Sequence, residues 1–145
     1  MNLNKLTQGE KIVVGGGILF ILDLILLAWH KIDGLAGAAI RAAGGDPTIT
    51  GIEAPNGGYG LFAVLLAAVM VLQIIGARFT KAKLPQPAIG WGKVHLYLGC
   101  GVAGVVLLKL FAETNALSIG ALLGVVLAGA LAYGGFLISK EPSLS

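Results

Sequence analysis

The chain has 145 residues, of which 57% are hydrophobic and only 12% charged, with a formal net charge of +3. A soluble domain carries roughly 25% charged and 45–50% apolar residues, so this composition excludes a water-soluble globular domain and points to the bilayer. The positive charge sits at the ends of apolar runs, as topology markers and headgroup contacts, and this excludes a nucleic-acid partner.

Cys100 is the single cysteine, which excludes an intrachain disulfide and a CxxC redox or zinc motif. No HExxH, GxSxG, P-loop or paired-carboxylate pattern is present. The expectation is a protein that is not an enzyme and holds no metal or cofactor.

Thr7-Gln8-Gly9-Glu10 fits a capping box and marks where the first helix begins. The apolar run that follows gives a first span at about 11–30, with Trp29 and His30 at its far interface. The run is longer than a signal-peptide core, and Lys31 and Asp33 separate it from the cleavage-like Ala36-Gly37-Ala38. An extracytoplasmic loop is expected over 31–58. Within it Gly34–Ala43 reads as a short helix lying on the membrane and Thr48–Ile52 as an extended segment, and Asn56-Gly57-Gly58 is a turn.

The second span, at about 59–78, runs into Arg78, Lys81 and Lys83, and Pro85 and Pro87 forbid its continuation. The third span falls at about 92–112 and the fourth at about 116–139, joined by Glu113-Thr114-Asn115. The fold class expected is all-α: one transmembrane domain over 1–145, built as an integral membrane four-helix bundle. Lys5, Lys11, Arg78, Lys81, Lys83, Lys93 and Lys140 fall on one side, against Lys31, Arg41 and Lys109 on the other. Both termini are therefore expected in the cytoplasm.

Lipid supplies no hydrophobic drive between helices, so small residues must let the backbones approach. Gly120, Gly124, Ala128 and Ala132 form a stripe at four-residue spacing on the fourth span, and Gly16 lies in a glycine-rich turn of the first. The stripe faces either another helix of the same chain or a second protomer. The partners expected are the lipid bilayer and a protein partner or further copy held through this stripe.

Asp23 stands near the middle of the first span, and an ionisable group at that depth is costly and by default a functional candidate. Positions seven apart share a helix face with a drift of about 20°, which aligns Gly16, Asp23 and His30, and on the third span His95 and Lys109. At about 1.5 Å per residue Asp23 lies about 18 Å above Lys11 and Lys109 about 24 Å above Lys93. Lys109 is then the one ionisable partner within reach of Asp23 inside the membrane. An Asp23–Lys109 pair is expected to be structural or to line a pathway. Otherwise Asp23 is protonated, or held by backbone and water, while Lys109 snorkels towards the headgroups and Glu113. Gln73 is too low to meet Asp23. His30 and His95 fall at opposite faces and cannot share a haem; His95 reads as an interfacial histidine and Cys100 as a small packing residue.

The opening LNKLTQGEKIVVGGGILFI resembles a group of small, uncharacterised four-span membrane proteins of actinobacteria, over about the first thirty residues and the span count. The chain departs from them at Ala28-Trp29-His30, where that group often has Pro-Trp. The resemblance implies a bacterial inner-membrane protein. The run before Asp23 is also similar to that of small multidrug resistance transporters, which have one acid in the first of four spans. Those use Glu and have short loops, and no further position carries over. Gly57-Gly58-Tyr59-Gly60 shares its core with the potassium-channel filter, but polar Ile52–Asn56 stands where that family has a pore helix. The leading expectation is a non-enzymatic subunit or accessory protein of a membrane assembly; the alternative is a small proton-coupled transporter using Asp23.

Overall fold

The first helix starts at the expected capping box. Thr7 Oγ1 accepts from the Glu10 amide at 3.3 Å, and the Thr7 amide donates to Glu10 Oε2 at 2.9 Å. The computed structural model describes residues 3–53, 56–81, 83–114 and 117–141. After a 3-10 turn at Leu3–Lys5, the elements are α1 (Gln8–Leu26), β1 (Ala28–Lys31), α2 (Gly34–Ala42), β2 (Thr48–Thr50), α3 (Gly57–Phe79), α4 (Gly90–Ala112) and α5 (Ile119–Lys140).

The expected short helix and extended segment are both present, as α2 and β2. Helices α3 and α4 each begin two residues before the expected start, at Gly57 and Gly90. Helix α5 begins at Ile119, and the connection expected at Asn115 and the start expected at Ala116 lie outside the described residues.

The main departure is in the first helix. It ends at Leu26 instead of continuing to His30, because Leu27 turns extended at φ −91° and ψ 146°. The backbone then pairs antiparallel with β2, Ala28 opposite Thr50, His30 opposite Ile49 and Lys31 opposite Thr48. Trp29 has no partner in this register and is the extra residue of a bulge. A bulge re-aims side chains, and here Trp29 and His30 are both buried in succession where a regular strand would alternate. His30 is therefore not on a helix face with Gly16 and Asp23.

Four long helices close into a ring in which α1 packs on α3 and α5, and α4 packs on the same two. Phe20, Leu24, Met70, Ile74, Val102 and Leu131 are among the residues filling the centre. The outer surface is apolar as well: Leu65, Leu72, Leu108, Phe111, Leu122 and Val126 are exposed. Among the described residues, α3, α4 and α5 are long and apolar enough to cross a membrane. Helix α1 has a similar length but carries Glu10, Lys11 and Asp23.

Glycines set the closest approaches. A Cβ on Gly99 of α4 would lie 2.7 Å from the Leu131 carbonyl oxygen and 2.9 Å from Ala132 Cα of α5. The small-residue stripe of α5 is occupied from within the chain. Gly120 abuts Ala28 and Trp29, Gly124 abuts Trp29 and Asp23, Ala128 is buried in the core, and Ala132 lies against Gly99. A Cβ on Gly16 would touch Ala130 at 3.9 Å, an ordinary contact.

Candidate functional site

Asp23 is buried one turn before the end of α1, and its partner is Trp29. The indole Nε1–H donates to Asp23 Oδ2 at 3.0 Å, and both residues are almost wholly enclosed. The bulge in β1 makes this possible by bringing the ring back over the last turn of α1. Two glycines leave room for it, since a Cβ on Gly120 or Gly124 would run into the indole, and a Cβ on Gly51 would run into Leu24 beside it. The Trp29 carbonyl accepts from the Ser118 amide at 2.9 Å, which ties the same residue to the start of α5.

Lys109 does not pair with Asp23. Its Nζ lies 5.7 Å from the centroid of the Trp29 ring and donates to the Asn56 carbonyl oxygen at 3.3 Å. Trp29 thus stands as a shared neighbour of the two, hydrogen bonded to the acid and offering its face to the base. Lys109 is only 1% exposed, so it does not snorkel out to solvent. Asn56 takes a left-handed backbone conformation with φ 62°, one that asparagine tolerates better than most residues. His30 Nε2 lies 3.9 Å from Glu113 Oε2 at the same end of the bundle. In the turn after β2, hydrogen bonds from Thr50, led by its backbone amide, hold the exposed Glu53 carboxyl below the usual glutamate range.

A second polar pair lies towards the other end. His95 Nε2 is 2.7 Å from Gln73 Oε1, a contact that the Nε2–H tautomer supplies, and both side chains are buried. The sequence carried a signal for it. Gln73 lies about 8 Å from Arg78 along its helix, and His95 about 3 Å from Lys93 along the next, so both belong to the third of the bundle next to those basic residues. His95 is a buried contact between α3 and α4. Cys100, expected as a packing residue, is exposed on the outer side of α4.

Below this pair the helix ends are clamped. Arg78 Nε donates to Glu10 Oε1 at 2.9 Å and Oε2 at 3.1 Å, with Glu10 fully buried. Glu141 Oε2 accepts from Thr7 Oγ1 at 2.6 Å, and Glu141 Oε1 from the Gly9 amide at 3.3 Å. A carboxylate at the start of α1 also suits the positive end of the helix dipole. Among the described residues, no group of histidine, cysteine and acidic side chains is arranged to hold a metal ion. Comparison with known protein families, curated proteins and solved structures gives no match.

Proposed function

We propose that the chain is a four-span protein of a bacterial cytoplasmic membrane, with both termini in the cytoplasm. It acts by protein contact, as a subunit or accessory component of a membrane assembly, and performs no catalysis. The observation that carries this reading is how the polar groups are used. Asp23 engages Trp29, Lys109 the Asn56 carbonyl and Gln73 His95, each within the chain. The two clusters lie towards opposite ends, and between them the core is apolar, with Phe20, Met70, Val102 and Val106. Such an arrangement fixes helices and offers no polar lane for a proton or solute among the described residues.

Helix α1 serves as the fourth span in this reading. Its Glu10 meets Arg78 at one end and its Asp23 meets Trp29 near the other, so its two acids are taken up inside the bundle. The orientation rests on the excess of Lys and Arg at the end holding both termini. The bacterial inner membrane rests on the resemblance of the opening residues to the actinobacterial group.

Affinity capture of the tagged protein from native membranes in mild detergent is the test. A defined membrane partner in fixed stoichiometry is expected, and recovery of the chain alone sinks the reading. The proton-coupled alternative draws on one observation, that Asp23 Oδ1 is buried without a hydrogen-bond partner. Under it, reconstituted protein moves protons and Asp23→Asn abolishes the flux; under the leading reading neither protein moves any.

A further inference from the structure

Two lysines stand side by side where α4 begins and α5 ends. A Cβ on Gly92 would lie 3.2 Å from Ser139 Cα, and one on Gly99 would lie 2.9 Å from Ala132 Cα, so the two helices run antiparallel in close contact. Lys93 and Lys140 each follow a contact residue by one position, about 100° further round the helix. Because the helices run in opposite directions, both rotations turn to the same side of the seam. That side is the outer one, since His95 and Ile138 are buried on the other and both lysines are exposed. We propose that the outer seam of α4 and α5 binds an anionic phospholipid, its phosphate between Lys93 and Lys140 and an acyl chain running over Leu96 and Phe136 towards Cys100 and Gly129.

Charge selects that ligand. Among the described residues neither lysine has an acidic partner. Glu141, next to Lys140 in the chain, is turned to α1, where it accepts from Thr7 Oγ1 and the Gly9 amide, and Glu10 is taken up by Arg78. The Lys140 ammonium lies 5.4 Å from the centroid of the Phe136 ring, so it leans back along the seam and over the apolar surface. A phosphate diester answers this pair of positive charges, whereas a zwitterionic headgroup brings an ammonium of its own. Deeper along the same side, Cys100 lies about 10 Å from Lys93 and Gly129 about 16 Å from Lys140. Both are exposed, and a Cβ on Gly129 meets nothing within 4 Å, so small residues leave a shallow path for a chain. The inference rests on the membrane reading above, which puts this apolar path among lipid chains.

Native mass spectrometry of the purified chain from micelles holding equal phosphatidylglycerol and phosphatidylcholine is the test. Retention of phosphatidylglycerol in preference to phosphatidylcholine is expected. Lys93→Gln with Lys140→Gln is expected to lower that preference by about fivefold for each lysine. Lys5→Gln with Lys11→Gln removes the same charge from the same end, beside α1, which lies across the ring from α4. This pair is expected to change the preference by less than about twofold. Gly129→Leu obstructs the chain path on an exposed face and is expected to weaken retention, and glycerophosphoglycerol, the headgroup without chains, is expected not to compete. Equal losses in the two lysine pairs, unchanged retention by Gly129→Leu, or competition by the free headgroup would overturn the proposal. Protein that floats with phosphatidylcholine vesicles but retains both lipids alike overturns it alone, and protein that does not float overturns the membrane reading with it.

Discussion

Trp29 is enclosed on all sides and makes three kinds of contact at once. Its N–H donates to Asp23 Oδ2, its face meets the Lys109 ammonium, and its edge fits where Gly124 has no Cβ. Hydrogen bonds between buried side chains of membrane helices contribute on average about 0.6 kcal/mol and at most about 2. Trp29→Phe keeps an aromatic face for Lys109 but removes the donor. It is expected to destabilise the fold by about 1–2 kcal/mol, read as the midpoint of unfolding in mixed detergent micelles. Part of any such loss is the smaller ring, so the decisive measurement is a double-mutant cycle with Asp23→Leu. The pair should show a coupling of about 1 kcal/mol, and additive losses would mean that the hydrogen bond contributes nothing. Gly124→Ala is expected to cost more than a usual helix substitution, because its Cβ would lie 2.8 Å from Asp23 Oδ2 and 2.9 Å from Trp29 Cη2.

The same glycine logic operates between helices. Gly99 of α4 meets the backbone of α5 at Leu131 and Ala132, and backbone cannot turn aside as a side-chain tip can. Gly99→Leu is expected to push α4 from α5 and to cost about 1–3 kcal/mol. Gly104→Ala on the same helix, where a Cβ meets nothing within 4 Å, is expected to be neutral or to stabilise by up to about 1 kcal/mol. Thermal aggregation midpoints of the two purified variants in one detergent would separate them, and equal behaviour would refute the close approach. The helical elements were legible because apolar runs of bilayer length end at charges and prolines, as at Arg78 and Pro85. The end of α1 was not legible, since Leu26-Leu27-Ala28-Trp29 continues the apolar run without a breaker. What stops it is pairing with Thr48–Thr50, a contact across a long stretch of sequence that local pattern cannot report. The same ribbon explains why Lys109 was the expected partner of Asp23. On a continued helix Trp29 points to the interface, and only the bulge returns it to the acid. The Gln73–His95 contact joins two helices, and the apolar run of neither helix alone reports which face meets the other.

At the scale of the molecule, the ends of the bundle differ in what holds them. The end with both termini is pinned by charge, through Arg78 on Glu10 and Glu141 on the start of α1. The opposite end is closed by the ribbon, Trp29 and the Asn56 carbonyl, and the exposed charges on and beside α2, Lys31, Asp33, Arg41 and Asp46, balance in sign. This asymmetry fits the Lys and Arg distribution and makes a sharp topological prediction. Cys100→Ser gives a protein free of cysteine, into which single cysteines are placed by Lys5→Cys, Lys81→Cys, Lys31→Cys and Arg41→Cys. All four positions are exposed, so each thiol is open to a reagent that cannot cross the membrane. In intact cells the cysteines at positions 31 and 41 are expected to react with a membrane-impermeant maleimide, and those at 5 and 81 only after lysis. Labelling of 5 and 31 from the same side would mean that α1 does not cross, leaving three spans and the termini on opposite faces. Labelling of 5 and 81 alone in intact cells would keep four spans but invert them, because charge at the helix ends sets orientation and not the number of crossings.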